Sequence, residues 1–206
     1  MPTKKELHTF LRSRRSTRRF KPDPVPELVI EEIIHTATFA PSAHNRQPWR
    51  FVIVTDAARS VKTRLGKAIT GKMRVDMQAQ GASEADIEKR VATSLRRMDE
   101  APVVIVLCRD KTDVRVDTLE EAAMGVQSTA AAGVQLLLAA HAEGLGGNWI
   151  CWPLYAQEET RAALSLTENW EPQAFYFLGY PDEVPEVKDR KPIKEIINWS
   201  QASPDV

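Results

Sequence analysis

Residues 118–142 constrain this chain's fold more than any other stretch: they form a long, apolar, alanine-rich segment with no proline to interrupt it. Such a run reads as one continuous helix, and its length and composition place it at the centre of a domain. Leu119, Val126, Ala130, Val134, Leu137 and Leu138 mark its expected buried face. Gly125 and the small residues 130–133 keep one side narrow, so that another helix backbone can come close. Packing inside the subunit and packing against a second copy explain that side equally well.

Around this helix the apolar pattern alternates between short runs and longer amphipathic ones. Strands are expected at 51–54, 102–108, 148–151 and 173–179. Helices are expected at 4–12, from Glu27 to Ala40 where Pro41 stops the chain, from about Asp56 to Ile69, and at 157–165. A loop through Gly71 and Gly81 should precede a further helix that Ser83 can cap. Residues 56–100 are the most polar part and the expected lid. Pro22, Pro24 and Pro26 hold an extended connection, because proline lacks the amide proton a helix needs. Strands separated by long helices suit a doubly wound sheet, but no glycine-rich phosphate loop follows the first strand, which disfavours a Rossmann fold.

Size and charge narrow the function classes. The chain has 206 residues and 43% hydrophobic content, enough for one sizeable core. Its 28 basic residues balance 28 acidic ones, so no global field draws it to nucleic acid or to an anionic membrane. The longest apolar strand, 102–108, is too short to span a bilayer, and the N-terminus lacks the apolar region of a signal peptide, so a cytoplasmic location is expected. Cys108 and Cys151 have no metal-type or redox-type spacing; both are expected to be reduced and buried in strands.

Two short stretches carry the chemistry. Residues 14–20, Arg-Arg-Ser-Thr-Arg-Arg-Phe, place four guanidinium groups and two hydroxyls together. Guanidinium forks hold phosphate bidentately, although most charge clusters are simply solvated turns. Residues 41–49, Pro-Ser-Ala-His-Asn-Arg-Gln-Pro-Trp, bring Ser42, Asn45 and Gln47 onto one loop. Carboxamides donate and accept at once, which suits the edge of a heterocycle. His44 has no nearby carboxylate or nucleophile in sequence and reads as a substrate-side or structural histidine. Later, Gly144-Leu-Gly-Gly has more glycine than a left-handed cap at Gly144 requires. Trp149, Trp152 and Tyr155 beside it are either ligand-stacking or core residues.

In order, these motifs and the Asp-Arg-Lys-Pro of 189–192 resemble the nitroreductase family. The likeness covers nearly the whole chain, so residues 1–206 read as one domain. It implies an α+β sandwich: a mostly antiparallel sheet wrapped by helices, with the C-terminal tail exchanged in a homodimer. It also implies FMN as cofactor, with NADH or NADPH as electron donor and a planar small molecule as acceptor. By this resemblance Arg14, Arg15 and Ser16 hold the phosphate and ribityl chain, and Lys188 and Arg190 close over the phosphate. Arg18 takes the place of the basic residue beside flavin N1, where many relatives carry lysine. Pro41, Ser42, Ala43, Asn45 and Gln47 carry further flavin contacts, often across the subunit boundary. Gly146 and Gly147 bring backbone close to the ring, so that Arg18 and Gly147 tune the flavin rather than act as conventional catalytic groups.

A narrower likeness, to the flavin-binding C-terminal domain of the ligase that finishes the deazaflavin coenzyme, suggests another role. Lys72 and Arg74 would then meet an acidic coenzyme tail. Flavin fragmentation, a flavin carrier that never turns over, and nucleic-acid binding through the arginine turn are the remaining alternatives.

Overall fold

The computed structural model describes residues 1–112, 114 and 116–200. Its organising element is a four-stranded sheet in the order β1-β2-β4-β3, with every neighbouring pair antiparallel. The strands are β1 (Trp49–Thr55), β2 (Val103–Asp110), β3 (Gly146–Ile150) and β4 (Trp170–Gly179). All eight residues of β2 are buried: the apolar run 103–108 is flanked on both sides and covered on both faces, and Arg109 and Asp110 at its end are held in ion pairs with Glu171 and Arg50.

The helices are α1 (Lys4–Ser13), α2 (Glu27–Ala37), α3 (Arg59–Ala79), α4 (Glu84–Asp99), α5 (Leu119–Ala142) and α6 (Gln157–Leu164). Alternation along the strands divides the core in two. Ile105, Leu107, Tyr176 and Leu178 face Ile33 of α2 and Leu136 of α5. Val104, Val106, Phe175 and Phe177 face Leu65 and Ile69 of α3 and Met98 of α4.

Local chemistry explains the helix limits. Thr3 and Glu6 close a capping box on α1, and Ser83 and Thr118 accept hydrogen bonds at the starts of α4 and α5. Gly144, at φ +73°, ends α5, while the Leu145 amide donates back to the Ala140 carbonyl at 2.8 Å.

Several expectations need correction. The chain does not loop at Gly71: α3 runs through it, with buried positions at 62, 65, 66, 69 and 70 tracing one helical face. Gly71 lies on the open side, where a glycine costs only about 1 kcal/mol of helix propensity. The expected lid is therefore largely structural, since Leu65, Ile69, Ile87 and Met98 are core residues. The buried Lys62 ties it down by donating to Asp56 at 2.8 Å and to the carbonyls of Asp99 and Ala101. Helix α2 ends at Ala37, before Ala40. Cys151 is exposed and lies just beyond β3, whereas Cys108 is buried and desolvation pushes its thiol up to about 12.

The largest correction concerns α5. Leu119, Val126 and Val134, expected inside, are 86%, 40% and 51% exposed. The face against the sheet instead carries Thr129, Ala132, Gly133, Leu136 and Ala140. Sterics account for this: a Cβ on Gly133 would lie 1.8 Å from the Tyr176 hydroxyl. That hydroxyl is fully buried and has no hydrogen-bond partner among the described residues. Tyr176→Phe should therefore raise stability by about 1 kcal/mol, because it removes an unpaired buried polar atom. Gly133→Ala should cost about 2 kcal/mol or more through overpacking. Urea midpoints of the two variants, at unchanged slope, check both signs.

Candidate active site

The arginine turn is stitched to the far edge of the sheet. After α1 the chain turns extended at Arg14, and Ser16 bridges Gly147 in parallel, with the Thr17 amide donating to the Gly147 carbonyl at 3.1 Å. Phe20 bridges Pro181, and the Lys21 amide donates to the Tyr180 carbonyl at 2.9 Å. The Glu183 carboxylate accepts from the amides of Arg18 and Arg19, at 2.5 and 3.2 Å. These contacts bring the turn beside the start of the C-terminal tail. A cavity of about 360 Å³ results, lined by Arg14, Arg15, Ser16, Arg18, Lys188 and Arg190. Five of those six side chains are cationic, against the carboxylates of Glu183 and Glu186 on the same wall.

The electrostatics of this cavity are unbalanced. Burial lowers the Arg14 pKa from its ordinary value, and the positive charges of Arg15 and Arg190 lower it further. Among the described residues Arg14 has no ion pair. The Arg15 Nε is buried without a partner, while its Nη1 donates to the carbonyls of Arg12 and Arg14. A desolvated guanidinium surrounded by like charge is stabilised by an anion placed among the group.

Two residues that the sequence did not single out belong to this neighbourhood. Arg97 of α4 is partly buried; its pKa is lowered first by desolvation and then by the charges of Arg18, Arg90 and Arg96. In sequence it looks like one more solvated charge, and only its place between buried Ser94 and Met98 hints otherwise. His141 of α5 stacks on Phe10, with ring centroids 5.0 Å apart, and its Nε2 lies 2.8 Å from the Ser13 hydroxyl. Desolvation and the charge on Arg14 lower its pKa.

Gly146 and Gly147 have packing reasons to be glycine. A Cβ on Gly146 would meet Thr17 Oγ1 at 2.6 Å, and one on Gly147 would meet Leu178 at 2.6 Å and Leu137 at 3.0 Å. Both therefore let the N-terminal turn and β3 close onto the core.

The second motif lies elsewhere. Ala43–Asn45 form a short 3-10 turn before β1, and the Ala43 amide donates to Ser128 Oγ of α5 at 3.1 Å. Arg46 forms a forked ion pair with Glu121, also on α5. Pro41, His44, Asn45 and Gln47 are exposed, and Ser42 is half-buried. The arginine turn, by contrast, meets the other end of α5 at Leu137 and His141. Ser128 and His141 stand thirteen residues apart on that helix, about 20 Å along its axis. Within one chain, the phosphate-type cluster and the carboxamide loop are thus brought to different ends of α5.

Other candidates separate clearly. Trp152 packs edge-on against Phe175 and Phe177, so it is core, whereas Tyr155 is exposed and Trp149 tilts over Tyr176. Lys72 pairs with Asp76, and Arg74 bridges Glu84 and Glu88 at 2.8 and 2.7 Å. Both cations expected to meet an acidic coenzyme tail are already engaged within the lid helices.

Comparison with known proteins accords with this architecture. A family model described as the nitroreductase family matches residues 11–180. An NADH dehydrogenase of Thermus thermophilus is 32% identical over 223 residues, covering 94% of this chain and 96% of that protein. A 5,6-dimethylbenzimidazole synthase of Rhodospirillum rubrum is 30% identical over 205 residues, covering 96% and 90% respectively. A nitroreductase-fold protein of Desulfovibrio desulfuricans, crystallised with FMN, superposes with a TM-score of 0.73 at 21% identity, covering 98% of this chain and all of that one.

The anion site is testable without any cofactor. Millimolar pyrophosphate should raise the melting temperature by several degrees more than chloride at equal ionic strength. Arg14→Gln should abolish most of that increment, read by differential scanning fluorimetry.

Proposed function

The chain belongs to the nitroreductase family, and from that premise we propose that it is an FMN-dependent oxidoreductase working as a homodimer. It takes reducing equivalents from NADH or NADPH and delivers them to a planar acceptor, such as a nitroaromatic, a quinone or an activated alkene, in ping-pong order. The observation that carries this reading is the desolvated, unpaired Arg14 in a cavity rich in guanidinium and ammonium groups. A terminal phosphate supplies the anion that such a cavity lacks, and FMN, unlike FAD, ends in one.

The residues present fit the group. Arg14, Arg15 and Ser16 would hold the phosphate and the adjoining chain, and Lys188 and Arg190 would cover it from the tail. When bound, FMN supplies hydride acceptance and donation at N5. Arg18 would supply a cation for the negative charge of the reduced ring, and Arg97 a second one nearby. The Gly147 segment, fixed by Ser16 and Thr17, would offer the ring a rigid stretch of backbone. Few proton-transferring side chains are required of the protein, which orients both ligands and keeps water away.

The separation of the two motifs along α5 is the reason for a dimer: the carboxamide loop, with Pro41, Ser42, Ala43, Asn45 and Gln47, comes from the second subunit. Three unsatisfied surfaces support it. The outward strip of α5 carries exposed Leu119, Val126 and Val134. The outer edge of β1 has no strand beside it among the described residues. The tail exposes Ile193, Ile196, Ile197 and Trp199. Beside β1 lies a cavity of about 550 Å³ lined by Val25, Ile30, Ile34 and Ile53, with Glu27 and Glu31 at its margin. The tail's isoleucines suit that apolar groove, and Lys191 and Lys194, against the one carboxylate of Glu195, suit its acidic margin. A cytoplasmic location accords with two unpaired cysteines.

The 30% identity to a 5,6-dimethylbenzimidazole synthase favours one second reading, in which reduced flavin is itself consumed with oxygen. The two are separated by following flavin absorbance over repeated cycles of anaerobic reduction and reoxidation; loss of flavin at each cycle supports fragmentation. The purified protein should be yellow, release FMN by mass, and bleach under anaerobic NADH or NADPH. A protein that stays yellow with both donors is a carrier. Replacing Arg14 and Arg18 together by Gln should leave a folded, colourless protein, and full occupancy would count against the assignment. Ile196→Asp with Ile197→Asp should shift sedimentation toward the monomer and lower FMN affinity at least tenfold.

A further inference from the structure

Among the described residues only four non-glycine residues have left-handed backbone, and three of them fall within four positions of one loop: His44 at φ 54°, Asn45 at 55° and Gln47 at 52°. Such clustering is unfavourable for side-chain-bearing residues and persists only where surroundings over-determine it. Here the surroundings can be named. The Gln47 amide donates to Ser42 Oγ at 3.1 Å, and the Asn45 amide to the Ser42 carbonyl at 3.0 Å. The Ala43 amide is held by Ser128 Oγ, which itself donates to the Met124 carbonyl at 2.7 Å. Arg50 donates to the Gln47 carbonyl at 3.2 Å and pairs with Asp110 at 2.8 Å.

Between these outer ties sits Arg46. It is the residue of the strained run that turns inward, and its fork closes on Glu121 with side-chain exposures of 12% and 9%. Its neighbours Asn45 and Gln47 are exposed, and Gln47 Nε2 lies 3.3 Å from Asn45 Oδ1, so the two carboxamides face outward as a linked pair. A buried ion pair of this kind is poor value as a stabiliser, because well-packed apolar residues commonly replace one at no loss. Combined with a strained backbone, it is better explained by the geometry it enforces.

We propose that the Arg46–Glu121 pair is a positioning device: it locks the 42–47 loop, with His44, Asn45 and Gln47 in left-handed backbone, in the conformation that presents Asn45 and Gln47 to the ligand held by the other subunit. The placement of that ligand rests on the functional reading above; the locking of the loop does not. Arg46 and Glu121 touch no reacting atom and act only through their neighbours. Helix α5 joins the two roles, since it anchors this loop through Glu121 and Ser128 and lies against the arginine turn of its own chain through Leu137 and His141.

The test uses Glu121→Gln, which keeps the shape and removes the charge, with Arg46→Lys as the conservative second variant. Three readouts are taken on each: melting temperature, amide hydrogen exchange of residues 42–47, and FMN affinity by fluorescence titration of the apoprotein. In Glu121→Gln, exchange in the loop should accelerate at least tenfold and FMN should bind at least tenfold more weakly. The pyrophosphate-induced rise in melting temperature should be unchanged. Arg46→Lys should fall between this variant and wild type. Unchanged loop exchange, or a loss of stability spread evenly over the chain with FMN affinity intact, would overturn the proposal. Should Glu121→Gln fail to fold, Arg46→Lys decides by the same criteria. A wild-type protein that binds no FMN sinks the functional reading, while the exchange measurement still decides whether the pair locks the loop.

Discussion

The pairing of β2 with β4 is the interaction on which the other elements depend, because these are the two strands with neighbours on both sides. Their side chains divide the interior into two apolar layers, one under α2 and α5, the other under α3 and α6. Once that pairing is set, β1 and β3 become the margins, and they meet different fates. The β3 margin receives the N-terminal turn through Ser16 and Thr17. The β1 margin receives no strand from the described residues and keeps Ile53 exposed. In the proposed dimer this asymmetry divides the work: the closed margin builds the cationic cavity, and the open one takes the second chain.

Charge is balanced over the chain as a whole yet concentrated in one place. Arg14, Arg15, Arg18, Lys188 and Arg190 gather from two ends of the sequence, with Arg97 nearby, while several cations elsewhere carry their own carboxylates. Arg59 has Asp99, Arg74 has Glu84 and Glu88, and Arg109 has Glu171. Arg14 is partly buried, has no ion pair among the described residues and stands beside the like charges of Arg15 and Arg190, which signals a ligand more clearly than any count of basic residues. Glu183 does not cancel this, because it spends its carboxylate on the amides of Arg18 and Arg19 and thereby shapes the turn.

How much was legible in the sequence follows the range of the forces involved. The caps at Ser83 and Gly144 and the apolar runs of β2 and β4 are local, and they read correctly. The arginine and carboxamide motifs were visible as motifs, though not their separation along α5. The inward face of α5 was misread because hydrophobicity does not say which partner buries it. Gly133 lies inside for a steric reason, with Thr129 buried on the same face, and Val126 and Val134 lie outside on what becomes a contact strip only if another molecule covers it. Gly71 misled because a glycine on the open side of a helix costs little, and Arg97 was missed because only tertiary structure brings α4 alongside Arg18.

A site divided between two chains has a thermodynamic consequence. When a ligand contacts the cationic cavity of one subunit and the carboxamide loop of the other, its binding energy is also association energy, so each equilibrium draws the other by mass action. The isolated subunit then has little reason to be stable as a monomer: it exposes an apolar strip on α5, an open strand edge and a tail of isoleucines. The anchoring of the carboxamide loop to α5 fits this logic, because the helix that presents the loop also carries the exposed strip. A displacement of α5 relative to its partner would move Asn45 and Gln47 with it, and a loop free to rearrange would lose that coupling. In the proposed dimer, rigid attachment through Glu121 and Ser128 would turn contact between subunits into geometry at the ligand.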